Sequence, residues 1–156
     1  LSWAKKERSL LARLVAIAAA CLVLPLAINV DIPHPWFAAD AIAPKGWYLC
    51  ALLTTYFATT VPFVKTVIRE RNSTPWFVGS ITVHVIATLA MAALAVQGYN
   101  YWTHVLVWVL LTGRAVAMPL LAKRRGVPWR PRNIGMPEIG YSLLVFATLP
   151  YGLAFP

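Results

Sequence analysis

Charge is what this sequence has least of. Only 12% of its 156 residues are Asp, Glu, Lys or Arg, against about 25% in soluble domains, too little polar surface to cover a water-soluble globule. Acid is scarcer still, with five Asp and Glu against 14 Lys and Arg. Asp31 and Asp40 fall in one connecting loop, so no Asp-rich pair stands ready to hold Mg²⁺ on a phosphate. The two cysteines, Cys21 and Cys50, are too far apart for a metal motif, and different expected depths keep them from pairing. Both read as small packing residues. There is no glycine-rich phosphate loop, no Cys/His metal spacing and no serine nucleophile motif. No metal and no cofactor is expected.

What remains is apolar. Hydrophobic residues make up 60% of the chain and the mean hydropathy is +0.66. A net charge of +9 would suggest nucleic acid in a soluble protein. Here the bases cluster between apolar runs, the pattern of membrane topology signals, so no nucleic-acid partner is expected.

The chain reads outward from the hinge Val61–His84. One apolar run ends in Lys65, Arg69, Glu70 and Arg71, and the turn Asn72-Ser73-Thr74-Pro75 opens the next. Pro75 suits a first helical turn, and Ser73 or Thr74 can cap its exposed amides. At ~1.5 Å per residue, about 20 residues cross the hydrocarbon core. Five runs are long enough: 10–30, 47–67, 76–96, 101–122 and 137–155. Leu10–Val30 is too long for a signal peptide, and Pro25 and Pro62 should bend the first and second spans. The broken loop 31–46 brings Trp36 and Phe37 toward the membrane interface, and Leu1–Arg8 is a basic lead-in. Lys45 alone among the loop bases lies opposite the clusters at 5–13, 65–71 and 123–132. The expectation is an all-α, polytopic membrane helix bundle of about five spans, one domain over 1–156. Its amino end is cytoplasmic and its carboxyl end outside.

Ionisable residues inside spans are functional candidates because lipid makes them costly. Lys65, His84, Arg114 and Glu138 all fall in the inner half of the bilayer. With Arg69 and Arg71 they could line one inward-facing pocket. Plainer roles compete: Lys65 and Arg69 can snorkel to headgroups, and His84 can bond a neighbouring helix. Glu138, opening span five, can gain from the helix dipole or pair with Arg114. His84 and His104 sit about 15 Å apart in depth by helical rise, too far to share a haem iron. His104 is expected at the interface beside Trp102.

The run Tyr56–Arg71, with its Val64-Lys-Thr-Val-Ile-Arg-Glu-Arg71 core, carries a resemblance. So do His84, Arg114-Ala-Val-Ala-Met-Pro119, Ile134-Gly-Met-Pro-Glu138 and the opening Lys5-Lys-Glu-Arg-Ser-Leu-Leu11. Together they resemble the carboxyl-terminal part of the bacterial YwiC-like membrane proteins, themselves distantly similar to UbiA-type intramembrane prenyltransferases. The resemblance covers nearly all of this chain but only part of a typical member, which implies the end of a longer protein. It implies a bacterial cytoplasmic (inner) membrane location and a cavity facing the cytoplasm. Lys65, Arg69 and Arg71 would then be candidates for an isoprenoid diphosphate or anionic lipid, with His84, Arg114 and Glu138 near it. Any prenyltransferase-like activity would have to work without the Asp-x-x-x-Asp motif. The alternative is a non-catalytic accessory subunit of a larger membrane complex, packing through Ala87, Ala90, Ala92, Ala93 and Ala95.

Overall fold

A computed structural model describes residues 10–28 and 44–150. The expected lead-in 1–8, most of the loop 31–46 and the end of the fifth run lie outside the described residues. Every element among the described residues is helical: α1 (Leu10–Cys21), α2 (Val23–Ile28), α3 (Pro44–Ile68), α4 (Thr74–Val96), α5 (Trp102–Arg125) and α6 (Pro131–Ala147). Among the described residues four stretches, Leu10–Ala27, α3, α4 and α5, are long and apolar enough to cross a membrane. The chain is an all-helical membrane protein. With 17 residues, α6 rises about 25 Å, a little short of a ~30 Å hydrocarbon core.

The described residues fall in two compact units that divide between Val61 and Pro62, inside α3. In the first, α1 and α2 are parted at Leu22, three residues before Pro25, whose ring crowds the carbonyl one turn upstream. Both cysteines are free and buried. The threonines of α3 hide their hydroxyls by donating to their own helix, Thr55 to the Ala51 carbonyl at 2.8 Å and Thr60 to that of Tyr56 at 3.0 Å. That self-satisfaction is what an apolar surrounding demands.

The second unit holds the end of α3 with α4, α5 and α6. Ser73 is the N-cap of α4, but its side chain makes no capping bond, contrary to expectation. Backbone bonds tighten the turn instead, from Glu70 N–H to Lys65 O at 2.8 Å and from Ser73 N–H to Glu70 O at 3.0 Å. Pro75 in the first turn of α4 leaves one fewer amide to satisfy. At its other end α4 stops on Gly98, φ +81°. There Tyr99 N–H reaches Leu94 O and Gly98 N–H reaches Ala95 O, the paired bonds of a Schellman stop.

α4 buries Ser80, His84, Ala87, Met91 and Ala95, a single stripe at helical spacing. Its other faces expose Val78, Ile86 and Leu89, apolar side chains suited to lipid. Ala87 and Ala95 are therefore used within this chain, so of the alanines proposed for partner packing only Ala90, Ala92 and Ala93 stay more open. The Thr88 and Thr112 hydroxyls meet at 2.9 Å and tie α4 to α5.

α6 begins at Pro131, six residues before the expected start, because Arg130 is extended and Pro131 fits a first turn. Glu138 consequently lies two turns inside α6. The helix-dipole reading is corrected: its carboxylate is too far from the N-terminus to feel that field, which fades within the first turn.

His104 is fully buried rather than interfacial. The Trp108 indole, a donor only, gives its N–H to His104 Nε2 at 3.1 Å. Nδ1–H must then donate to Thr148 Oγ1 at 2.9 Å, and Thr148 passes its proton to Leu144 O at 2.8 Å. Every direction in this chain is fixed, and the imidazole is neutral. Thr148→Val, which strands the buried Nδ1–H, is expected to cost about 1–3 kcal/mol of stability, measured by unfolding in mixed micelles.

Candidate functional site

Two polar places stand out in the second unit, and between them they hold four of the six residues nominated by the sequence, Arg71, His84, Arg114 and Glu138. The first is interior. Arg114, on the buried stripe of α5, forms an ion pair with Glu138 of α6 through Nη1 and Oε1. Its side chain is 2% exposed and that of Glu138 16%. The Phe63 and Tyr141 rings lie 4.1 and 4.9 Å from the Arg114 guanidinium carbon. Cation–π attraction offsets part of the desolvation of this charge. His84 meets Phe63 edge-on, with ring centroids 6.4 Å apart, and donates Nδ1–H to Ser80 O at 2.7 Å. A carbonyl only accepts, so that tautomer is set.

Phe63 is the joint between this polar layer and an apolar one of Val67, Ala115 and Ile134. The Trp129 indole anchors the α5–α6 connection by donating to Met118 O at 2.9 Å, and Arg125 lies over its ring.

The second place is a cleft of about 310 Å³ at the hinge end of the same unit. Arg71 and Asn72 contribute from the α3–α4 turn, Lys123 from the end of α5, and Val67, Pro119 and Val127 form apolar wall. Gly126, with φ +65°, turns the chain beside it. The volume sits at the low end of the ~300–1,000 Å³ typical of small-molecule sites, room for a headgroup rather than a whole lipid.

No family model, curated protein or solved structure matches this chain.

The structure thus brings Arg114 and Glu138 together, with His84 against the same phenyl ring, and puts Arg71 in the cleft. Lys65 goes elsewhere. Its ammonium stands 3.5 Å over the Trp76 ring, while Thr66 donates to Pro62 O and Trp76 O, so the two residues staple the hairpin. Arg69 is exposed on the turn. Phe63, Tyr141 and Lys123 were not among the nominated residues. Tyr141 follows Glu138 by three, hence one helix face, and that spacing could have flagged it. Lys123 counted only as a topology charge.

Proposed function

We propose that this protein receives a phosphate-bearing lipid, an anionic phospholipid or an isoprenoid diphosphate, at the basic end of its second unit. The observation that carries the reading is the cleft lined by both Arg71 and Lys123. Two cations, one from the α3–α4 turn and one from the end of α5, line an opening whose walls are otherwise largely apolar, which suits an anionic head attached to a hydrocarbon tail. Arg124 and Arg125 end α5, Arg130 and Arg132 stand at the start of α6, and all four add to the local field. The YwiC-like resemblance and its distant UbiA-type relation support an isoprenoid phosphate among the ligands. In this reading the basic end faces the cytoplasm of a bacterial cell, as positive-inside charge placement favours. Binding needs no bound metal, because the two cations do the neutralising.

The test is lipid retention. The protein purified in mild detergent is expected to carry a phosphorylated lipid detected by mass spectrometry. Arg71→Ala and Lys123→Ala are each expected to lower retention roughly tenfold, a loss of one charge-assisted contact. Raising salt from about 0.05 to about 0.5 M should weaken binding in the same direction. Unchanged retention in the double variant overturns the reading. A stoichiometric partner chain without lipid would favour the accessory-subunit alternative.

A further inference from the structure

The interior pair carries an inference independent of the cleft. Arg114 spends only Nη1 on Glu138; its Nε and Nη2, together with Glu138 Oε2, are buried with no hydrogen-bond partner among the described residues. The two free nitrogens form the side-on edge of the guanidinium, whose N–H bonds run parallel and converge on an oxygen lying in the plane. Aromatic rings crowd the guanidinium carbon at 4.1 and 4.9 Å, and this edge holds the two nitrogens left without a partner. Buried donors of this kind are rarely left unmade, since each costs the full desolvation of its group.

Charge decides what can sit there. Glu138 already balances the guanidinium, so a second anion would leave net negative charge in an apolar surrounding, which is expensive. A neutral oxygen adds no charge and can use both N–H groups. The oxygen of an alcohol or of water is such an acceptor, with two lone pairs to take both N–H bonds. We propose that the Arg114 edge is a binding site for a neutral hydroxyl oxygen, supplied by a lipid alcohol or by water. It is a polar station inside the second unit, separate in ligand charge from the phosphate-binding cleft.

The experiment is proton-detected magic-angle-spinning NMR on arginine-¹⁵N protein in lipid bilayers, with Arg114→Lys identifying the Arg114 signals by their loss. Lysine keeps the charge beside Glu138 but cannot present the parallel pair. Cross-peaks from Arg114 Nε–H and Nη2–H to exchangeable water protons support the proposal with water as the source. Cross-peaks to hydroxyl or carbinol protons of lipid support it with a lipid alcohol as the source. In that case Arg114→Lys should lower the co-purified alcohol roughly tenfold, one bidentate contact's worth. Dephasing of these nitrogens by ³¹P, contact of both with the Glu138 carboxyl carbon, or no external proton within reach each overturns it. Loss of the cleft's lipid in Arg71→Ala leaves all of these outcomes unchanged, so the two readings fail separately.

Discussion

Glu138→Ala is expected to destabilise the protein by about 3–5 kcal/mol, the cost of leaving a buried charge without its partner. The Arg114 side chain is 2% exposed and has the Phe63 and Tyr141 rings against it, and a neutral oxygen cannot supply the carboxylate's balancing charge. Arg114→Ala should cost less, because Glu138, at 16% exposure, retains more access to polar surroundings. The double variant Arg114→Met/Glu138→Leu removes both charges and roughly preserves volume. It is expected to recover most of the loss, since paired removal of buried ions is often neutral. Reversible unfolding in mixed micelles across the set measures the coupling. A Glu138→Ala protein as stable as the double variant would contradict the cost assigned to an unpaired Arg114.

Phe63→Ala should be comparably severe, about 3–5 kcal/mol. The ring is 0% exposed, lies 4.1 Å from the Arg114 guanidinium carbon, meets His84 and packs against Val67, Ala115 and Ile134. In a bilayer the unfolded reference is also apolar, so transfer from water contributes little. The loss comes from the cavity, the dispersion contacts and the cation–π partner. Phe63→Leu keeps much of the volume and forfeits chiefly the ring's attraction for the guanidinium, so roughly 1–2 kcal/mol is expected. Equal losses for Ala and Leu would put the ring's charge interaction, rather than its bulk, at the centre.

The helices were legible because their signals are strong and local. Apolar runs, parted by a basic turn at 69–73 and an uncharged one at 97–101, place α3, α4 and α5 nearly where they lie, and Pro25 accounts for the break before α2. Helix ends were harder. Pro137 suggested a start, yet Pro131 supplies an equally good first turn, and the earlier start moves Glu138 away from the helix dipole. The Arg114–Glu138 pair was accessible from charge balance alone, since neither can sit unpaired in an apolar interior. Lys65 was not, because an ammonium can satisfy itself on a nearby indole, here that of Trp76 across the turn. Nor was His104, whose two partners, Trp108 and Thr148, lie 4 and 44 positions away. Its depth depended on the packing of α5 with the segment after α6, which no periodicity encodes.

The central claim is that Arg71 and Lys123 hold a phosphate between them. Dephasing of the Lys123 ¹⁵Nζ and Arg71 guanidinium signals by lipid ³¹P, in bilayers containing an anionic phospholipid or a polyprenyl diphosphate, addresses it directly. The account predicts P···N separations on the order of 4 Å, one P–O bond beyond a charge-assisted hydrogen bond. Lys65, engaged with Trp76, should show a weaker effect. Dephasing at Lys65 with none at Arg71 or Lys123 would contradict the account.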